Sequence, residues 1–159
     1  MIDRQGMYTV GRRETYTIMG DPTPLARARH TRGRVYDSQK AAKRIFSDKV
    51  KDLYGRSSML EGAIALQIEF VMAIPESWSK RKRLWMKSQP HIITPDGSNM
   101  LKYFEDCCNL ILYHDDCQLY DERLIKYYDD GLGARTIFTL EEHYYDKASQ
   151  KISATKTRV

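Results

Sequence analysis

The chain has 159 residues, 42% of them hydrophobic and 30% charged, with a net charge of +5. This suits one globular domain over 1–159 with an ionised surface, and excludes a disordered chain. No apolar run approaches the roughly 20 residues of a membrane-spanning helix. The opening MIDRQGMYTVGRRETY lacks the apolar core of a secretion signal, so no membrane partner and a cytoplasmic location are expected.

The cysteines are Cys107, Cys108 and Cys117. An odd count with two adjacent makes no disulfide framework, and no C-x-x-C pair is present for zinc. Cys107 or Cys108 reads as a small core residue. The positive charge clusters. PLARARHTRGRVY holds Arg27, Arg29, Arg32 and Arg34; SWSKRKRLWMK holds Lys80, Arg81, Lys82, Arg83 and Lys87, whereas acids concentrate after Asp96. A basic front half and an acidic back half fit a DNA-gripping surface beside a metal site, or equally two solvated faces.

In chain order, ETYTIMG alternates weakly and predicts a first strand over 14–19. GDPTPLARARHTRGRVYD carries two prolines, Gly20 and Gly33, and predicts an exposed loop. SQKAAKRIFSDKVKDLY predicts an amphipathic helix over 38–54, with Ala41, Ala42, Ile45, Val50 and Leu53 inward and Lys40, Lys43, Arg44, Lys49 and Lys51 outward. GAIALQIEFVMAI is the clearest strand: Ile64, Leu66, Ile68 and Phe70 point one way, Ala65, Gln67 and Glu69 the other. A short basic helix follows, capped by Ser77 or Ser79. Met100, Leu101, Phe104, Cys107, Cys108 and Ile111 recur at helical spacing and predict a helix over 98–112. QLYDERLIKYYDD then predicts a strand, GLG a turn, and ARTIFTLEEHY the strand's hairpin partner. The core runs from about 14 to 142, and the polar stretch 146–159 reads as a frayed tail.

The candidates for chemistry flank the 98–112 helix. Asp96 lies in a Pro-Asp-Gly turn before it, and Asp115 and Asp116 follow it. At about 1.5 Å per residue that helix is roughly 20 Å long, so its ends meet only if the chain folds back along it. Oxygen ligands suit a hard cation such as Mg²⁺, and adjacent acids favour a cation. The plain alternatives are an Asx turn for Asp96, a polar turn for Asp115 and Asp116, an N-cap for Ser98 and an i,i+4 helix pair for Lys102 and Asp106. His30, His91, His114 and His143 are scattered without ligand spacing and read as surface or turn residues; His114 beside the Asp pair is the one to watch. No phosphate-binding glycine loop and no G-x-S-x-G elbow is present.

Pro95-Asp96, Asn99, Leu101, Lys102, Asp106, Asn109, Tyr113 and Asp115-Asp116-Cys117-Gln118 together resemble the RusA family, phage-type endonucleases that resolve four-way (Holliday) DNA junctions. GDPTPLARARHTRGRVYDSQK is similar to the family's basic N-terminal loop, and IPESWSKRKR to a segment that often precedes the acidic motif. The similarity spans about 16–140. It implies an α+β fold with a mixed β-sheet and helices packed on it, a homodimer, and Mg²⁺-dependent paired nicks across a junction, with Mn²⁺ a possible substitute. It further implies metal ligation by Asp96, Asp115 and Asp116 and a catalytic Lys102. The DNA contacts expected are Arg27, Arg29, Arg32, Arg34, Lys80, Arg81, Lys82, Arg83 and Lys102. The departure is Ser98, which stands where the family pattern has aspartate. A hydroxyl supplies no negative charge, so a branched-DNA-binding protein without cutting activity is the competing expectation. A basic interaction domain with no DNA role is a third.

Overall fold

The alternation in ALQIEF builds the centre of the molecule. In the computed structural model, which describes residues 8–27, 29–55 and 57–145, this stretch is strand β4 (Ala63–Met72). Ile64, Leu66, Ile68 and Phe70 are buried on one face, while Gln67 is exposed on the other. The expected tail 146–159 lies outside the described residues, as do the side chains of Arg29, His30, Thr31, Arg34 and Tyr145.

Four strands form one mixed sheet in the order β1-β6-β4-β5. β1 (Tyr8–Met19) pairs antiparallel with β6 (Arg135–Tyr145), β6 antiparallel with β4, and β4 parallel with β5 (Leu119–Tyr128). β1 begins earlier than the predicted 14. Two differences from the sequence reading matter more. β5 and β6 are not a hairpin, because β4 lies between them. β4 is the most continuously buried strand and takes the centre, where both of its edges are paired. The 129–134 loop therefore passes over the end of β4, held by Asp129 N–H to Met72 O (2.8 Å) and by Arg135 on Asp130 (2.9 Å). The loop expected over 20–37 also contains a small hairpin, β2 (Arg29–Thr31) with β3 (Arg34–Tyr36). Arg32 and Gly33 both have positive φ at its tip, the requirement of a two-residue turn of the primed type.

Helices α1 (Lys40–Tyr54) and α3 (Gly97–Cys108) join the buried face of the sheet in one core cluster. α3 contributes Met100, Phe104 and Cys108, with Phe104 edge-on to Phe138 of β6 at 4.8 Å. α1 enters through Val50 and Tyr54 with Phe46 half-buried; of the positions predicted inward only Val50 is buried, while Ala41, Ala42, Ile45 and Leu53 stay exposed. α2 (Lys80–Met86) is capped by Ser79, whose hydroxyl accepts from Lys82 N–H, and buries none of its residues. The result is a mixed α+β fold with a four-stranded sheet and three helices. No helix among the described residues is long and apolar enough to cross a membrane.

The helix predicted to reach Leu112 ends at Cys108. Asn109 caps it, and Leu110 takes a positive φ. Leu112 is nonetheless fully buried, because the reversed chain pairs with the entry to β4 through Leu60 N–H to Leu112 O (2.7 Å). A buried apolar residue at helical spacing is thus used in a different conformation, where a tertiary hydrogen bond overrides local periodicity.

The far end of the sheet is fastened by Glu142, which is 2% exposed and accepts from Arg12 N (3.1 Å), Arg12 Nε (3.2 Å) and Glu61 N (2.8 Å). Despite burial, the Arg12 side chain and the two amides hold this carboxyl below its usual range. Its contribution is present above the unfolded carboxyl pKa of about 4.3 and is lost as pH falls through the lower folded value. Replacing Glu142 with Gln should cost roughly 1–3 kcal/mol at pH 7, discounted from a fully buried pair because Arg12 is one-third exposed. Urea midpoints measured from pH 7 to pH 3 should show the gap between wild type and Glu142→Gln closing below about pH 4.3.

Candidate active site

The amino end of α3 is built from three directions. The chain enters through the Thr94–Pro95 peptide, which is cis, and Asp96 stands at the N-cap with its backbone carbonyl accepting from Asn99 N and Met100 N. From β5, the Lys126 ammonium donates to Ile93 O (2.6 Å) and Pro95 O (2.5 Å), tying this turn to the sheet. From the basic loop, Leu25 N–H donates to Asn99 O (2.8 Å). The loop is fixed in turn by Gln39, whose amide accepts from Ala26 N (2.7 Å) and donates to Pro24 O (2.8 Å). Arg27 is thereby anchored two residues from a contact with the first turn of α3, and its side chain is exposed.

This geometry revises the roles expected of Asp96 and Ser98. Ser98 is not the N-cap; it lies inside the first turn of α3. Asp96 occupies the cap position but makes no side-chain cap bond. Both side chains are exposed and available. Lys102, one turn further on, is exposed as well, and its expected pairing with Asp106 does not form. Asp106 is taken by Lys43 of α1 (3.0 Å), which also holds Asp37 (2.9 Å). Lys102 has no ion pair among the described residues.

The second acidic motif is a 3-10 turn (Asp116–Gln118) with Asp115 as its cap. Asp115 Oδ1 accepts from Cys117 N (2.9 Å), and Gln118 Oε1 accepts from His114 N (2.8 Å) and Asp115 N (3.2 Å). The Gln118 amide nitrogen donates to Leu60 O (3.3 Å) and Gly62 O (3.1 Å) at the entry to β4. One side chain thus locks the acidic turn internally and pins it to the central strand. Both aspartates remain exposed. The bond from Cys117 holds Asp115 below the usual carboxylate range, while its hydrogen bond with Asp115 pushes Asp116 above it.

Two further carboxyls join this end, and neither stood out in the sequence. Glu105, on the last turn of α3, lies beside Glu122 of β5 and within electrostatic reach of Asp116 and Asp106; burial and these neighbours push it up to about 8. They meet because α3 runs back along β5: the Gly97 position abuts Leu124, and Glu105 reaches Glu122. Spacing along the chain carries no sign of this. Asp96 and Glu105 are separated along α3 by roughly 13 Å at about 1.5 Å per residue. No group of three His, Cys, Asp or Glu side chains among the described residues closes into a ready-made metal cage. The donor chemistry still suits a hard cation. Mg²⁺ is commonly held by one or two carboxylates, with water and substrate phosphate supplying the rest, and Asp115 with Asp116 is such an exposed pair.

The remaining candidates divide by location. Lys80, Arg81, Lys82 and Arg83 are exposed on α2, and Arg32 is exposed at the β2–β3 tip. Arg29 and Arg34 lie on β2 and β3, with side chains outside the described residues. Two histidines expected at the surface are buried. His91 packs tilted against Tyr128 with ring centres 4.6 Å apart, and His143 bonds Tyr120 and Glu141. His114 beside the acidic turn is exposed, and Cys107 and Cys108 are both buried.

A family model described as Endodeoxyribonuclease RusA matches residues 19–140. The chain belongs to the RusA family. The matched span takes in the basic loop, α3, the acidic turn and the sheet as far as β6. The family is one of junction-resolving endonucleases, generally dependent on divalent metal. The chain is also similar to an uncharacterized protein, YqaN, of Bacillus subtilis (strain 168). The two are 23% identical over 124 residues, which cover 72% of this chain and 87% of that one.

Two predictions concern this RusA-family site. Glu105 has a folded pKa of about 8, above the unfolded value of about 4.3, so its ionisation withdraws stability as pH rises between them. Glu105→Gln should therefore melt progressively above wild type from pH 5 to pH 8, by on the order of a few degrees; a pH-independent difference would contradict a raised Glu105 pKa. Lys126→Met should release the Asp96 turn. Amide exchange at Asn99 and Met100 should speed up, with little change at the acidic turn pinned by Gln118.

Proposed function

We propose that this protein is a Mg²⁺-dependent, structure-selective DNA endonuclease that resolves four-way junctions by paired nicks, with Mn²⁺ able to substitute, and that it acts as a homodimer in the cytoplasm. The observation that carries the reading is the Asp115-Asp116 turn, rigidly held by Gln118 yet with both carboxylates exposed, inside a RusA-family match that covers most of the chain. We assign the metal to Asp96, Asp115 and Asp116, with Ser98 at the position of a usual ligand; these carboxylates do not form one cluster among the described residues, so shared ligation requires the cation and the DNA phosphate to draw the two segments together. A bound cation would polarise the scissile phosphate and lower the pKa of the attacking water.

The chain's own residues do the rest. Gln118 and Lys126 hold the backbone of the two acidic segments against β4 and β5, which leaves the adjustment to the exposed side chains themselves. Lys102, free of Asp106, presents an ammonium that offsets charge developing on the phosphate. Arg27, Arg29, Arg32 and Arg34 on the loop, with Lys80, Arg81, Lys82 and Arg83 on α2, contact backbone phosphates, which position a duplex without reading its sequence. A two-fold dimer would offer two such sites to a two-fold junction.

Ser98 supports a second reading. Its exposed hydroxyl adds no charge beside Asp96, and a protein that keeps the basic surface without efficient cutting binds junctions and leaves them whole. Synthetic four-way junctions incubated with Mg²⁺ or Mn²⁺ separate the two. The endonuclease reading expects symmetric nicks that are lost in Asp116→Asn, reduced about 10²–10³-fold in Lys102→Ala, and increased in Ser98→Asp. Absence of cutting with either metal, alongside tight junction binding, favours the binder. A binding constant insensitive to salt excludes both, since each phosphate contact steepens the salt dependence.

A further inference from the structure

α2 and its flanks stand apart from the rest of the fold. From Ser77 to Lys87 there are five basic residues, Lys80, Arg81, Lys82, Arg83 and Lys87, and no acid. The root of the helix is fixed: Trp78 packs on Tyr128 at 5.6 Å and carries the Lys82 ammonium 3.8 Å over its ring. Beyond that root nothing is buried. Trp85 is 71% exposed and Leu84 68%. A groove of about 470 Å³ follows the Leu84 side of the helix, lined by Lys80, Arg83 and Lys87 together with two acids, Glu76 and Asp129; Trp85 lies outside it, on the side of the helix it shares with Arg81 one turn back. Lys80, Arg81, Arg83 and Lys87 have no ion-pair partner among the described residues.

An indole left in water one helical turn from the unpaired Arg81 calls for an occupant that is both flat and anionic. A second copy docked through the same helix about a two-fold axis would oppose cation to cation. Nucleic acid meets both demands, because phosphates match the ammonium and guanidinium groups and a base face matches the indole. Linear duplex keeps its bases stacked and offers no free face; a branch point interrupts stacking and does. The segment after α2 is pinned to β5 by His91 N–H to Lys126 O (3.0 Å) and Tyr128 N–H to Gln89 O (2.9 Å), and runs directly into the Asp96 turn. The helix is therefore tethered to the amino end of α3.

We infer that Trp85 is a stacking platform for a base at the branch point of the DNA, with Arg81 and the other cations of α2 gripping the flanking phosphates. This deepens the proposed function and rests on it, since it names how the same protein tells a junction from a duplex.

The test is binding by the full chain in EDTA, so that cutting plays no part. A four-way junction and a linear duplex of equal length are used, each with 2-aminopurine at the central position. Trp85→Ala should lose about 5- to 100-fold in affinity for the junction and little for the duplex, the loss expected for one stacked base. It should also abolish quenching of the branch-point 2-aminopurine. Trp85→Phe should retain most of both. Equal losses on the two DNAs, or an unchanged junction affinity in Trp85→Ala, overturn the platform while leaving the junction reading intact. A change of sedimentation from dimer to monomer in Trp85→Ala also overturns it and makes this helix an interface between copies. Wild-type protein that binds neither DNA overturns the proposed function itself.

Discussion

The architecture depends on the parallel pairing of β4 with β5. Parallel neighbours cannot be joined by a tight turn, so the chain must leave the end of β4, cross and return. That crossover holds α2, the Pro95-Asp96 turn, α3 and the acidic 3-10 turn. Every candidate catalytic residue therefore lies on one connection between two adjacent strands. α3 runs back along β5, which sets Asp96 beside one half of that strand and the Asp115-Asp116 turn beside the other.

A crossover of that length needs fixing if it is to present side chains in a set geometry. The core side of α3 does part of this through Met100, Phe104 and Cys108 against the sheet. Two polar side chains complete it. Gln118 uses both ends of its amide, accepting from the acidic turn and donating to the entry of β4. Lys126 does the corresponding work at the other end, an ammonium on two carbonyls. Each of these hydrogen bonds is modest in water, but each occupies main-chain groups that would otherwise leave the turn free to move. The carboxylates of Asp96, Asp115 and Asp116 carry none of the fastening to the sheet, which leaves them available for ligands.

Charge is arranged on the same logic. The cation and acid nearest in sequence, Lys102 and Asp106, do not pair, because Lys43 of α1 reaches Asp106 and closes α1 onto α3. A structural ion pair is thereby kept separate from Lys102, which has no ion pair among the described residues. At the last turn of α3, Glu105 and Glu122 stand beside Asp116, and burial together with these like charges raises the Glu105 pKa. Sites that gather like charge at the expense of stability are characteristic of function rather than packing.

The sequence by itself determined a good part of this. Two-residue alternation marked β4, helical spacing marked α3 as far as Cys108, and the residues from Pro95 to Gln118 carried the family. These are local signals, set by side-chain direction within one element. Tertiary structure decided what depends on partners distant in the chain. It ended α3 before Leu110, because Leu112 is bonded to Leu60, and it placed β4 between β5 and β6, because the most apolar strand takes the centre. It buried His91 and His143, gave Asp106 to Lys43, and brought Glu105 to Glu122 across the helix–strand contact. In each case the deciding hydrogen bond, ion pair or burial joins segments whose spacing along the chain carries no trace of it.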